Sequence, residues 1–435
     1  MNSDSDKLKA YQKWIDEAEK LMSTESGNPA EEIRQAIRCY EEAIRVDPKN
    51  PDAWIKKGDA LFNLWEVEEP EDPKVNRWMS RERRRCYDMA TKVAPKSEEV
   101  WLVKADSVRF RDDKKEAFRC LRRALRINPK SLGALLIMSS IYKDIGNMDK
   151  SIECVEMATA TNPNDVYAWR NRAERMFEVG RYDEAVECYN KAIELDSGNV
   201  SIWVERGKAL LKVGRNNEAL ECYDRAIEIK EDSWDSWSER GKALLSIGKP
   251  EEALMCFDKV LQLFPHEEWA PIYKGRCLAM MNRIEPALSI LENVVKEQDE
   301  MARKLHIGGS IPNFQAEALF EEGKIMLRLG RIEEANDNIE AALARMHREP
   351  AYFARKIYDA WAVSIHRFML QALEASQEDK ARELYIKYRN GYCELKGWRS
   401  REVKSGILKS LKEFKQSLLP SERKLLKRLE RTRSK

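Results

Sequence analysis

The chain has no uncharged apolar run approaching the roughly 18 residues of a membrane span. Its opening, MNSDSDKLKAYQKW, lacks the apolar core of a secretory signal. No membrane span is expected, and a soluble, cytoplasmic protein is. Histidine is scarce: His266, His306, His347 and His366 stand alone, with no second ligand at metal spacing. HExxH and CxxC are both missing, which removes the signatures of zinc hydrolases and dithiol sites. The pairs Gly207-Lys208 and Gly241-Lys242 lack the Gly-x4-Gly-Lys-Ser/Thr context of a phosphate loop and run on into Ala-Leu-Leu. No Ser, His and Asp set can be assembled. A catalytic residue, a cofactor and a metal site are therefore not expected.

What the chain does have is charge. Of its 435 residues 35% are charged and 43% apolar, a mixture that suits amphipathic helices with much exposed surface. The net charge of +2 hides a split, because residues 396–435 hold 14 Lys or Arg against 4 Asp or Glu. Tail and body have opposite electrostatic characters. Nine cysteines, an odd number, fit a reducing compartment better than a disulfide framework.

Five of those cysteines, Cys120, Cys154, Cys188, Cys222 and Cys256, stand 34 residues apart. Other positions keep the same period. Trp101, Trp169, Trp203 and Trp237 share the fourth place of a 34-residue unit, and Ala105, Ser139, Ala173, Gly207, Gly241, Gly275 and Gly323 the eighth. Ala117, Ala185, Ala219, Ala253 and Ala335 hold the twentieth place, Leu121, Tyr189, Tyr223 and Phe257 the twenty-fourth. The twenty-seventh is small, and Pro129, Pro163 and Pro265 close their units. Two short helices per unit explain this. A small eighth residue admits the second helix, a bulky twenty-fourth fills the space, and proline ends the second helix.

The pattern of Trp, small residue, Ala, aromatic, Ala and Pro resembles the tetratricopeptide repeat. The resemblance implies an all-α, right-handed superhelical solenoid of antiparallel helix pairs, about ten repeats with a C-terminal amphipathic capping helix. Residues 1–97 hold two units with insertions, 98–301 six regular units, 302–315 an insertion loop, 316–395 one regular and one degenerate unit, and 396–435 a basic helical cap or tail. The insertions WEVEEPEDPKVNR and ARKLHIGGSIPNFQ are expected to be solvated loops. In this frame the cysteines, with Cys39 and Cys86, fall at the twenty-third place, on the buried stripe of the second helix. Equivalent helices about 8–10 Å apart hold them beyond disulfide reach, and ligands strung along a line do not converge on one zinc ion. They read as apolar fillers.

By resemblance, first helices line an inner groove through their second, fifth, ninth, twelfth and thirteenth places, and a protein or peptide partner lies along it. The ninth place changes sign. Asp59, Asp106, Ser140 and Glu174 precede Lys208, Lys242, Arg276 and Lys324. Four cations on one wall favour an acidic or carboxylate-bearing segment, with Arg170, Leu211, Leu245, Trp269, Ile272, Phe320 and Leu327 as further groove contacts. The carboxylate clamp that some relatives use on chaperone tails is not matched. Asn171 stands at one such place, but Leu136, Ser140, Ser201 and Glu205 occupy the others.

The tail carries an apolar stripe, Val403, Ile407, Leu408, Leu411, Phe414 and Leu418, broken by Pro420. It fits a helix covering the exposed end of a repeat array. Arg423, Lys424, Lys427, Arg428 and Arg431 beyond it fit a basic arm for nucleic acid. The leading expectation is a non-catalytic interaction scaffold; the alternative is a nucleic-acid-associated factor using that tail.

Overall fold

The computed structural model describes residues 3–345, apart from 24–27, 69–71, 110–112 and 306–313. The expected degenerate repeat and the basic tail lie outside the described residues. Eighteen α-helices and no strand occur among those described. They fall into two compact units, Met1–Arg215 and Asn216–Lys435.

The first unit is built from helix pairs: α1 (Ser3–Met22) with α2 (Pro29–Val46), α3 (Pro51–Glu68) with α4 (Pro73–Val93), and α5 (Glu98–Arg109) with α6 (Lys114–Ile127). α7 (Leu132–Asp144) with α8 (Met148–Thr161) and α9 (Val166–Glu178) with α10 (Tyr182–Leu195) follow, and α11 (Val200–Val213) ends it. The second unit begins with α12 (Asn216–Ile229). It continues with α13 (Trp234–Ser246) and α14 (Pro250–Leu263), α15 (Ala270–Met280) and α16 (Ile284–Leu305), and α17 (Phe314–Arg328) and α18 (Ile332–Arg345).

The first insertion differs from the expected loop. Most of WEVEEPEDPKVNR is helical, lengthening α3 and α4, because Asp72 caps the Lys74 amide at 2.8 Å and Pro73 opens the new first turn. At the second insertion, α16 runs on to Leu305.

Three devices recur at the repeat period. First helices close with a residue at positive φ, namely Gly146, Gly180, Gly214, Gly248, Asn282 and Gly330. The two backbone bonds of a Schellman turn accompany it, as when Gly248 N donates to Leu245 O and Lys249 N to Leu244 O. Asn282 is the one side chain in that row, a residue type that tolerates the left-handed region. The second device is packing within a pair. A Cβ on Gly241 would sit 2.8 Å from Phe257 Cζ, and one on Gly275 2.9 Å from Leu291 Cγ. The third is a hydrogen bond from the fourth-place indole to a backbone oxygen six residues earlier, made by Trp54, Trp101, Trp169, Trp203 and Trp237.

The cysteine row is buried and unbridged. Burial pushes the thiols of Cys86, Cys120, Cys154 and Cys188 up to about 11. Such thiols stay protonated at neutral pH, the state of a packing side chain rather than a nucleophile or ligand.

Candidate binding site

Polar contacts between neighbouring repeats form a ladder. From the seventh place of a first helix, Lys57 reaches Glu41 (2.8 Å), Lys104 reaches Asp88 (2.8 Å) and Arg206 reaches Asn190 Oδ1 (2.7 Å) in the first unit. In the second unit Arg240 reaches Asp224 and Lys274 reaches Asp258, both at 2.6 Å. Each acceptor stands at the twenty-fifth place of the preceding second helix. These cations are tied backward, which sets them apart from the ninth-place cations two residues further along the same helices.

Those cations do not form a bare row. In the second unit Lys242 Nζ binds Glu239 at 2.9 Å, and Lys324 Nζ binds Glu321 at 2.7 Å, each three residues earlier on its own helix. Arg276 Nε also approaches Glu321, at 3.5 Å. Aromatic faces hold them from the other side. Lys242 Nζ lies 5.1 Å from the Trp269 ring centroid and 5.8 Å from that of Tyr273. Arg276 lies 4.9 Å from Tyr273, and Lys324 5.4 Å from Phe320. Every cation is thus pinned between a carboxylate and a ring, and three cations face two carboxylates. The surplus is smaller than the ninth place alone suggests, but the geometry is preorganised. Trp269 and Tyr273 continue into a ring cluster with Phe257, Phe264 and Trp234, and Trp234 and Phe264 are exposed.

Other expected contact residues are placed differently. Ile272 is fully buried among Leu278, Leu291, Ala318 and Ile325, so it packs the core and offers no surface. The cause is local packing, since α16 and α17 close over it; at the same place Val204 and Ser238 are buried too, whereas Leu102, Leu136 and Arg170 stay half-buried. Phe320 and Leu245 are also buried, whereas Leu327 is half-buried.

In the first unit Lys208 binds Glu205 at 3.1 Å, and Arg170 binds Glu174 at 3.1 Å. Leu211 is half-buried. The acidic ninth-place residues are also engaged. The Tyr87 hydroxyl donates to Asp59 Oδ1 at 2.6 Å, while burial raises the Asp59 carboxyl, and Asp106 pairs with Arg109 at 2.9 Å. A hollow of about 400 Å³ opens here, lined by Asp59, Phe62, Tyr87, Leu102, Asp106 and Arg83 among others. Arg83, whose guanidinium stacks 4.3 Å from the Phe62 centroid, escaped the sequence analysis. It comes from the second helix α4, six residues beyond the first insertion.

Glu322 was also missed. It occupies the seventh place of α17, where α3, α5, α11, α13 and α15 carry the Lys or Arg of the ladder, and the nearby charge from α16 is the carboxylate of Glu292. Asn338 Nδ2 on α18 donates to Glu322 Oε2 at 3.2 Å, and Oε1 is buried without a hydrogen-bond partner among the described residues. Burial first, and Glu292 second, push the Glu322 carboxyl up to about 7.

Among the described residues no group of three or more His, Cys, Asp or Glu could hold a metal, and no helix is long and apolar enough to cross a membrane. Models of the TPR repeat match residues 31–64, 173–214 and 207–248, and a tetratricopeptide repeat model matches 132–165 and 235–267. No curated protein matches the chain. Among solved structures it is similar to MamA, at 23% identity over 37% of this chain and 93% of that one, with a TM-score of 0.34. PilW, described as a type IV pilus biogenesis factor, gives 16% identity over 45% and 91%, with a TM-score of 0.41. YrrB, described as a TPR protein with an unusual peptide-binding site, gives 20% over 43% and 96%, with a TM-score of 0.35.

Proposed function

The chain is a tetratricopeptide-repeat protein, and from that premise we propose that it is a non-catalytic scaffold whose second unit grips an acidic peptide along its first helices. The observation that carries this reading is the pinning of Lys242, Arg276 and Lys324 between carboxylates and aromatic rings. A carboxylate arriving at such a cation meets a charge whose side-chain entropy is already spent. The neighbouring rings of Trp234 and Phe264 supply apolar contact for residues flanking the acid. An acidic strand carrying apolar residues satisfies both.

A labelled peptide of mixed Glu and Leu, titrated into the full chain, tests this. Lys242→Glu combined with Arg276→Gln is expected to weaken binding at least about tenfold, the scale of losing close charge pairs. Unchanged affinity in a variant with wild-type helicity would overturn the assignment.

A further inference from the structure

The outer face of α6 breaks the charge pattern of the repeats that follow it. Its sequence KKEAFRCLRRALRI places Arg119, Arg122, Arg123 and Arg126 at i, i+3, i+4 and i+7, a single stripe about 10 Å long. All four are exposed, and none has an ion pair among the described residues. In later repeats the place of Arg119 is held by Glu153, Glu187 and Glu221, that of Arg122 by Glu156, Asp224 and Asp258, and that of Arg126 by Glu194 and Glu228. There the outer charges are mostly self-paired, as in Lys191 with Glu194 at 2.7 Å.

Arg122 is not needed by the ladder either. The seventh-place residue opposite it is Met138, where the other first helices of this unit from α3 to α11 carry Lys or Arg. The arginines, with Trp101, Lys104, Cys120 and a Glu116 already neutralised by Arg84 and Lys104, line a surface hollow of about 440 Å³. On α4, joined to α6 through Arg84 and Glu116 at 2.7 Å, the outer face adds exposed Arg77, Arg81 and Trp78, the last 56% exposed.

We propose that this face of the first unit binds the phosphodiester backbone of a single-stranded nucleic acid. The inference is independent of the peptide reading, which concerns the second unit. Guanidinium forks match phosphate oxygens two bonds at a time. A protein partner would want a buried apolar centre and a lipid surface an apolar helix face, whereas the apolar residues Leu121 and Ala124 of α6 are fully buried in the core. A phosphate backbone needs only repeated cations, and an exposed indole such as Trp78 offers a stacking platform for a base.

The test is fluorescence anisotropy of a labelled 20-nucleotide single strand with the full chain, over a range of salt. Arg119→Glu, Arg122→Glu and Arg126→Glu together write into α6 residues that its neighbours tolerate, and the corresponding Gln triple provides a neutral control. Both are expected to lose at least about tenfold in affinity, with the salt slope falling by roughly 0.7 for each phosphate contact removed. Lys242→Glu is expected to leave oligonucleotide binding unchanged.

Absence of wild-type binding at low salt would overturn the proposal. So would loss of binding on neutralising Arg423, Lys424, Lys427 and Arg428 with no effect of the α6 triples. Equal binding of polyglutamate or of phosphatidylserine vesicles through the same arginines would also overturn it, in favour of an acidic protein or a membrane.

Discussion

The indole Nε1 of Trp203 donates to the backbone oxygen of Ser197 at 3.0 Å. The same bond joins Trp101 to Pro95, Trp169 to Pro163 and Trp237 to Glu231. What the tryptophan recognises is therefore a carbonyl of the turn between repeats, and proline there is dispensable. Trp203→Phe keeps most of the ring but removes the donor, so a loss of about 1 kcal/mol is expected in urea unfolding of the full chain. Ser197→Pro leaves the acceptor in place and is expected to change stability by less than about 0.5 kcal/mol.

Gly241 faces Phe257 with no room to spare. A methyl group there would meet Phe257 Cζ at 2.8 Å and Cys256 Cβ at 3.1 Å. Although alanine favours a helix interior by up to about 1 kcal/mol over glycine, overpacking costs about 1–3 kcal/mol, and Phe257 is fully buried with little freedom to retreat. Gly241→Ala is thus expected to destabilise the second unit, and adding Phe257→Leu to recover part of the loss. A thermal midpoint for Gly241→Ala at or above that of the wild type would contradict the packing account.

Glu322 makes the second unit sensitive to pH. Its carboxyl titrates near 7 in the fold against an ordinary value of 4.5, so the folded state holds a proton that the unfolded chain has lost. Stability should fall as pH rises from about 4.5 to about 7 and then level off. Glu322→Gln keeps the shape and removes the charge. It is expected to flatten that slope and to stabilise the unit at pH 8 by up to about 3 kcal/mol, the scale set by a rise from 4.5 to about 7. A variant with the same pH profile as the wild type would show that Glu322 is not the titrating group.

The 34-residue period made the helix pairs, the buried cysteine row and the eighth-place contacts legible before any coordinates, because each depends on the register within one repeat. Contacts between repeats were harder to see. The pairing of Lys242 with Glu239 is local and was visible in principle, but a row of cations counted at one place conceals the acids at another. Ile272 was assigned to the surface because helical periodicity alone does not say how closely successive first helices approach. The α6 arginines were hidden by averaging, since the body of the chain as a whole carries a negative excess. The helical form of the first insertion depended on a cap, Asp72 followed by Pro73, that its acidic and proline-rich composition masked.

The buried cysteines have a practical corollary. The second helices α2, α4, α6, α8, α10, α12 and α14 each contain one, and Cys277 lies on α15. Alkylating reagents attack only the exposed thiolate, so each sulfur stays silent until its own hairpin opens. Pulsed labelling read by mass spectrometry would time the opening of one hairpin after another, with no probe added to the protein.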